Sequence, residues 1–102
     1  MEKKQTQTGK TTQVREKNQE PQEYLVILHN DEVTTMDFVV MVLKKFFRKS
    51  EQEAIQIMLE VHIKGKGIAG KYPYDIARTK AEQTMRLARQ FNYPLRLTVV
   101  AE

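Results

Sequence analysis

From Met1 to about Glu23 the chain carries Lys, Gln, Thr and Glu and almost no apolar residues, so whatever folds must be built from residues 24–102. A segment of that composition cannot bury enough apolar surface to offset the entropy lost on ordering. It is expected to be a disordered tail, with the remaining chain forming one small domain around a single modest core. The apolar fraction of 40% suffices for such a core. Within the tail, Gly9-Lys10-Thr11-Thr12 looks like the end of a phosphate-binding loop. That pattern needs another Gly five residues before Gly9, where Lys4 stands, and no strand precedes it, so it is set aside.

Composition removes several function classes. The chain has no Cys, hence no disulfide framework, thiol nucleophile or thiolate metal site. No apolar run approaches the roughly 20 residues that cross a bilayer, and the N-terminus lacks the apolar block of a signal peptide. A reducing cytoplasm and no membrane contact are therefore expected. The net charge of +4, with 29% charged residues of mixed sign, is ordinary for a solvated surface and points only weakly to nucleic acid.

Residues 24–102 divide at clear signals. Tyr24 to Leu28 is short, apolar and β-branched, and reads as a buried strand. Thr34 or Thr35 caps a helix with Asp37 in its first turn, running to about Phe47 with Phe38, Val39, Val42, Leu43, Phe46 and Phe47 at helical spacing. Ser50-Glu51-Gln52-Glu53 fits a capping box. The helix it opens carries Ala54, Ile55, Met58, Leu59 and Val61 and ends near Ile63. Lys64-Gly65-Lys66-Gly67 breaks the chain, and Gly67 to Tyr72 reads as a short strand. Pro73 sets the start of a helix from Tyr74 to about Phe91, with Ile76, Ala77, Ala81, Met85 and Ala88 on its inner face. Pro94 opens a last strand, Leu95 to Val100, alternating Leu95, Leu97 and Val99 against Arg96 and Thr98. The order β-α-α-β-α-β predicts an α+β single domain, a three-stranded antiparallel sheet packed against three helices.

One stretch is richer than a connection requires. After Leu25-Val26-Ile27-Leu28, four polar residues follow in a row, His29-Asn30-Asp31-Glu32. The two histidines, His29 and His62, with Asp31 and Glu32, contain the elements of a two-His, one-carboxylate metal site, but the H-E-x-x-H spacing is absent. No Ser or Cys sits in a nucleophile elbow, so the chain is not read as an enzyme and no cofactor or metal is implied. Met36, Met41, Met58 and Met85 sit at helical spacing. Such methionines fill cores and also suit pockets for varied apolar groups, and Met36 lies where the polar loop meets the helix. Gly67-Ile68-Ala69-Gly70 matches G-x-x-G, a backbone clamp of one class of RNA binder. A small RNA-binding module using these glycines and the basic residues is the alternative function.

Taken in order, the motifs resemble those of the ClpS family, adaptors of the Clp AAA+ protease that recognise N-terminal degrons. The markers are Val26-Ile27-Leu28-x-Asn30-Asp31-Glu32, Thr34-x-Met36-x-Phe38-Val39, Val61-His62-x-x-Gly65-Lys66, Thr79-Lys80-Ala81 and Pro94-Leu95, and they span Tyr24 to Val100. The resemblance implies that Asn30, Glu32 and His62 bind the free α-amino group of a substrate, with Asp31 pointing away. Glu32 stands where the family pattern has Asp. It further implies that Ile27, Met36, Val39, Met58, Val61 and Leu95 form an apolar pocket for a first residue such as Leu, Phe, Tyr or Trp, with Met36 as gatekeeper against Ile and Val. Asp75 and Lys80 match the surface that docks on the N-terminal domain of a Clp unfoldase, ClpA-like or ClpC-like; the family has Glu at the first of these. The tail, Met1 to about Glu23, would engage the unfoldase. A monomer is expected.

Overall fold

The computed structural model describes residues 22–102. The expectations of disorder and of an unfoldase-binding role for the N-terminal tail lie outside the described residues as far as residue 21. Glu23, placed in that tail above, instead opens the first strand. Its backbone carbonyl accepts a hydrogen bond from the Glu102 N–H at 3.1 Å, and ladder pairing does not require an apolar side chain.

The elements follow the expected order: β1 (Glu23–His29), α1 (Met36–Phe47), α2 (Glu51–Lys64), β2 (Lys66–Pro73), α3 (Tyr74–Gln90) and β3 (Arg96–Ala101). The sheet has the order β2-β1-β3 with both pairings antiparallel. Leu28 faces Leu97 on one side and Gly67 on the other, and the register against β2 slips between Val26 and Ile27. Successive strand residues point to opposite faces, and β1 obeys this: Val26 and Leu28 are fully buried while Leu25 and Ile27 are half-buried. The strand read as buried is buried on one face, because all three helices lie on the Val26–Leu28 side and share its core with Leu43, Val42, Ala81 and Leu97.

The helix ends are held as the capping signals predict. Of the two candidate caps for α1 it is Thr35 that serves, its Oγ1 accepting from the Phe38 N–H at 3.1 Å. Thr34 is otherwise engaged, donating its hydroxyl to Asp31 Oδ2 at 2.8 Å. At α2 both capping-box bonds form: Glu53 N–H to Ser50 Oγ at 3.1 Å and Ser50 N–H to Glu53 Oε1 at 2.9 Å. Gly65 closes α2 in the left-handed region at φ 92°, which glycine adopts without steric penalty.

The inner faces are narrower than the sequence pattern suggests. Ile76, expected to face inward, is exposed, as are Ile55 and Leu59. On α2 the buried arc is Ala54 and Val61 flanked by Ile57 and Met58; on α3 it is Ala77, Ala81, Thr84 and Ala88. Small residues let α3 approach the sheet closely, and each step along a helix turns the side chain by about 100°. Ile55 and Ile76, one step from Ala54 and Ala77, are rotated away. The buried Thr84 hydroxyl donates to the Lys80 carbonyl at 2.8 Å, so no buried donor is stranded there.

Candidate functional site

The polar loop after β1 is tied to the far end of α2. The Asn30 N–H donates to the Gly65 carbonyl at 2.9 Å, and the Gly65 N–H donates to the Val61 carbonyl at 2.9 Å. His62 lies one turn before that cap, so the bond brings Asn30 and His62 to one cleft across a sequence separation that gives no hint of it.

Asp31 organises the loop. Its Oδ1 accepts from the Val33 and Thr34 N–H groups at 2.8 and 2.7 Å, and its Oδ2 from the Thr34 hydroxyl at 2.8 Å. Partial burial pushes its carboxyl pKa up, but the Thr34 and Val33 bonds, with Arg89 nearby, outweigh this and hold it below the ordinary value. The carboxylate is therefore committed to its own turn. Glu32, beside it, is exposed and makes no ion pair or hydrogen bond among the described residues.

The loop, the start of α1 and the end of α2 enclose a cleft of about 510 Å³ lined by Asn30 to Met36, Val39, Met58, Val61 and His62. Its walls combine Asn30, Glu32 and His62, whose side chains make no hydrogen bond or ion pair among the described residues, with apolar groups at graded depth. Val61 and Val39 are buried, Met58 is half-buried, and Met36, the first residue of α1, is 44% exposed at the mouth. A cleft of this kind suits a ligand with one cationic or hydrogen-bonding end and one bulky apolar group.

Comparison with known proteins agrees with this geometry. Residues 19–98 match the family model described as ATP-dependent Clp protease adaptor protein ClpS. The chain belongs to the ClpS family. It is 54% identical over 84 residues to the ClpS adapter protein of Syntrophus aciditrophicus, covering 82% of this chain and 78% of that one. It is 49% identical over 88 residues to that of Myxococcus xanthus, covering 86% and 82%. The structure of Agrobacterium tumefaciens ClpS2 bound to L-phenylalaninamide superposes with a TM-score of 0.78 at 36% identity, covering 81% of this chain and all of that one. The ClpS family is that of the Clp protease adaptor; the chain is an adaptor and not the protease itself.

The residues that the ClpS resemblance implies for amino-group binding and the apolar pocket do not all fall in one place. Asn30, Glu32, His62, Met36, Val39, Met58 and Val61 line the cleft. Ile27 does not: it points to the opposite face of the sheet from Val26 and Leu28 and lies beside Ile68, Gly67 and Glu60. The strand period of two turns it from the face that carries Val26 and Leu28. Leu95 is buried in the core, 1% exposed, and is not among the lining residues. Val33, Thr34 and Thr35 also line the cleft, although the motifs do not single them out as binding residues. The available signal is the Asp31-x-x-Thr34 spacing, which suits a side chain bonded to its own turn.

The remaining sequence candidates sit elsewhere. His29 is on β1 with its Nε2 2.8 Å from Thr98 Oγ1, away from His62, and no group of three His, Cys, Asp or Glu able to hold a metal occurs among the described residues. Gly67 to Gly70 lies inside β2, paired with β1, and is no loop between helices. Gly67 has a packing role: a Cβ there would come within 2.9 Å of Val61 Cγ2. The RNA-clamp alternative loses its structural basis. Asp75 is exposed at the start of α3. Lys80 is half-buried; its Nζ donates to the Phe46 carbonyl at 2.8 Å and lies 5.2 Å over the Tyr72 ring. Among the described residues, no helix is long and apolar enough to cross a membrane.

Proposed function

We propose that the cleft binds the first residue of a substrate protein, a free α-amino group followed by a bulky apolar side chain, and that the chain hands such substrates to a Clp AAA+ unfoldase. The observation that carries this is the convergence of Asn30, Glu32 and His62 with Met36, Val39, Met58 and Val61 on one cleft. L-phenylalaninamide, bound by the Agrobacterium relative, has the same two chemical features, a free α-amine and an apolar side chain.

An α-ammonium has three N–H donors. The Asn30 side-chain carbonyl, an unprotonated ring nitrogen of His62 and the Glu32 carboxylate supply three acceptors. Interior residues of a protein lack that ammonium, which makes the site read chain starts. Glu32 reaches one methylene further than the family's Asp and has one more torsion to restrict; since its carboxylate is exposed, it is able to meet the ammonium directly or through a water. Burying a Leu or Phe side chain contributes about 1.5–3 kcal/mol, and each hydrogen bond to a charged group about 1.5–3 kcal/mol. Two or three such bonds, less the cost of association, give a complex near −8 kcal/mol, or about micromolar. Met36 at the mouth crowds a substrate branched at Cβ, which favours Leu, Phe, Tyr and Trp over Ile and Val.

Asp75 and Lys80 form the docking surface for the N-terminal domain of the unfoldase. Lys80 is partly occupied by the Phe46 carbonyl and Tyr72, which leaves Asp75 the freer half of the pair. The protein works as a monomer in the cytoplasm, with the N-terminal segment engaging the unfoldase.

The test is fluorescence anisotropy with a labelled peptide beginning in Leu and its N-acetylated twin. Free peptide should bind at micromolar concentration or tighter, and acetylation, which removes the charge and two of the three donors, should abolish it. Equal binding of both, or of neither by a folded protein, rules the proposal out.

A further inference from the structure

A second hollow adjoins the cleft. It runs between α1 and α2, has a volume of about 810 Å³, and is lined by Asp37, Val40, Met41, Lys44, Lys45, Glu51, Ile55 and Met58. Met58 lines both hollows, and Met36 and Val39 of the cleft are followed in sequence by Asp37 and Val40 of the groove. The two hollows therefore meet at Met58.

Its floor is apolar and open. Val40 and Met41 are half-buried and Ile55 is 38% exposed, with no described residue laid over them. The far end is closed by the ion pair of Lys44 with Glu51, which joins the end of α1 to the start of α2. From Asp37 to Lys44 the helix rises about 10 Å, the reach of about three residues of extended chain.

A chain whose first residue fills the cleft has the groove next to it, across Met58. We propose that the α1–α2 groove is a second substrate subsite, in which the residues following the first lie extended and an apolar side chain at the third or fourth position packs on Val40, Met41 and Ile55. This inference rests on the amino-terminal reading of the cleft. It makes the adaptor sensitive to sequence beyond the first residue, through contacts that neither touch the α-amino group nor enter the first pocket.

Isothermal titration calorimetry tests it with L-phenylalaninamide and the amidated peptides Phe-Ser-Ser-Ser, Phe-Ser-Leu-Ser and Phe-Ser-Ser-Leu. One of the Leu peptides should bind about three- to tenfold more tightly than the all-Ser peptide, the gain expected from partial burial of one Leu side chain. Ile55→Gln should erase that gain and leave the affinity for L-phenylalaninamide unchanged, which also shows the variant to be folded. Leu59→Gln, an exposed position on the same helix outside the groove, should keep the gain. Equal affinity for the three peptides, a gain that survives Ile55→Gln, or one lost equally in Leu59→Gln overturns the subsite. Failure of L-phenylalaninamide to bind the unaltered protein overturns the amino-terminal reading first and this inference with it.

Discussion

The polar side chains of the cleft divide by commitment. Asp31, the most fully bonded, is spent on its own turn, with three short hydrogen bonds from Val33 and Thr34 that fix the residues following it. Asn30 fixes its backbone to the cap of α2 and keeps its side chain for the cleft. His62 faces the cleft from the last turn of α2. Replacing a partner of a charged group by Ala removes a bond of about 1.5–3 kcal/mol, so His62→Ala and Asn30→Ala are each expected to weaken binding of a Leu-initiated peptide by about tenfold or more, with an unchanged urea midpoint. Unaltered affinity in both would reject the amino-group assignment. Met36→Ala should extend binding to peptides beginning in Ile and Val, because it removes the exposed side chain at the mouth. A loss of stability without that broadening would assign Met36 to the core. The types and spacings of Asn30, Met36 and His62 are legible in the sequence. That Ile27 and Leu95 stand outside the lining of the cleft is not, since both are apolar residues next to legible motifs and only the sheet's pleat and the packing of the core tell which way each side chain goes.

Among the elements, the contact between α2 and β2 sets the shape of the cleft wall. Gly67 follows the cap of α2 by two residues and passes under Val61, so closely that a Cβ would lie 2.9 Å from Val61 Cγ2 and 3.5 Å from the Ile57 carbonyl. Val61 is β-branched and stiff in a helix, and it cannot yield without moving toward the cleft it lines. Gly67→Ala should therefore destabilise the fold by about 1–3 kcal/mol, the usual range for overpacking. It should also weaken degron binding, measured by urea denaturation and anisotropy on the same sample. A fully stable variant with normal affinity would show that β2 can shift without disturbing the wall. The glycine itself is visible in the sequence, where a second glycine three residues on invites a nucleic-acid reading. Its packing role is not visible there, because the obstacle is a side chain from another element.

For the whole molecule, pH separates folding from binding. If, as proposed, the cleft reads a charged α-amino group, whose ordinary pKa is about 7.7–8.0, affinity should fall as pH rises above about 8. Folding responds on the acid side. Burial lowers the pKa of His29 below its reference value of 6.5, with Arg96 and Lys66, its cross-strand neighbours on β3 and β2, adding to the effect; Thr98 is its hydrogen-bond partner. The unfolded chain then takes up this proton before the folded one, so the contribution is complete above pH 6.5 and is lost as pH falls through that region. Asp31, held below its reference value of 3.8, adds a second loss at lower pH by the same sign. Urea midpoints should decline as pH falls below about 6.5, and less so in His29→Gln; equal slopes would remove His29 from the account. The order of elements, the helix caps and the identity of the polar loop were set by the sequence, because capping, turn chemistry and hydrophobic period act over a few residues and leave local marks. The narrowness of the helix faces, the choice of Thr35 over Thr34, the meeting of Asn30 with His62 and the groove beside them were decided by tertiary packing. Each depends on which groups from distant segments occupy the same few ångströms, and no local pattern records that.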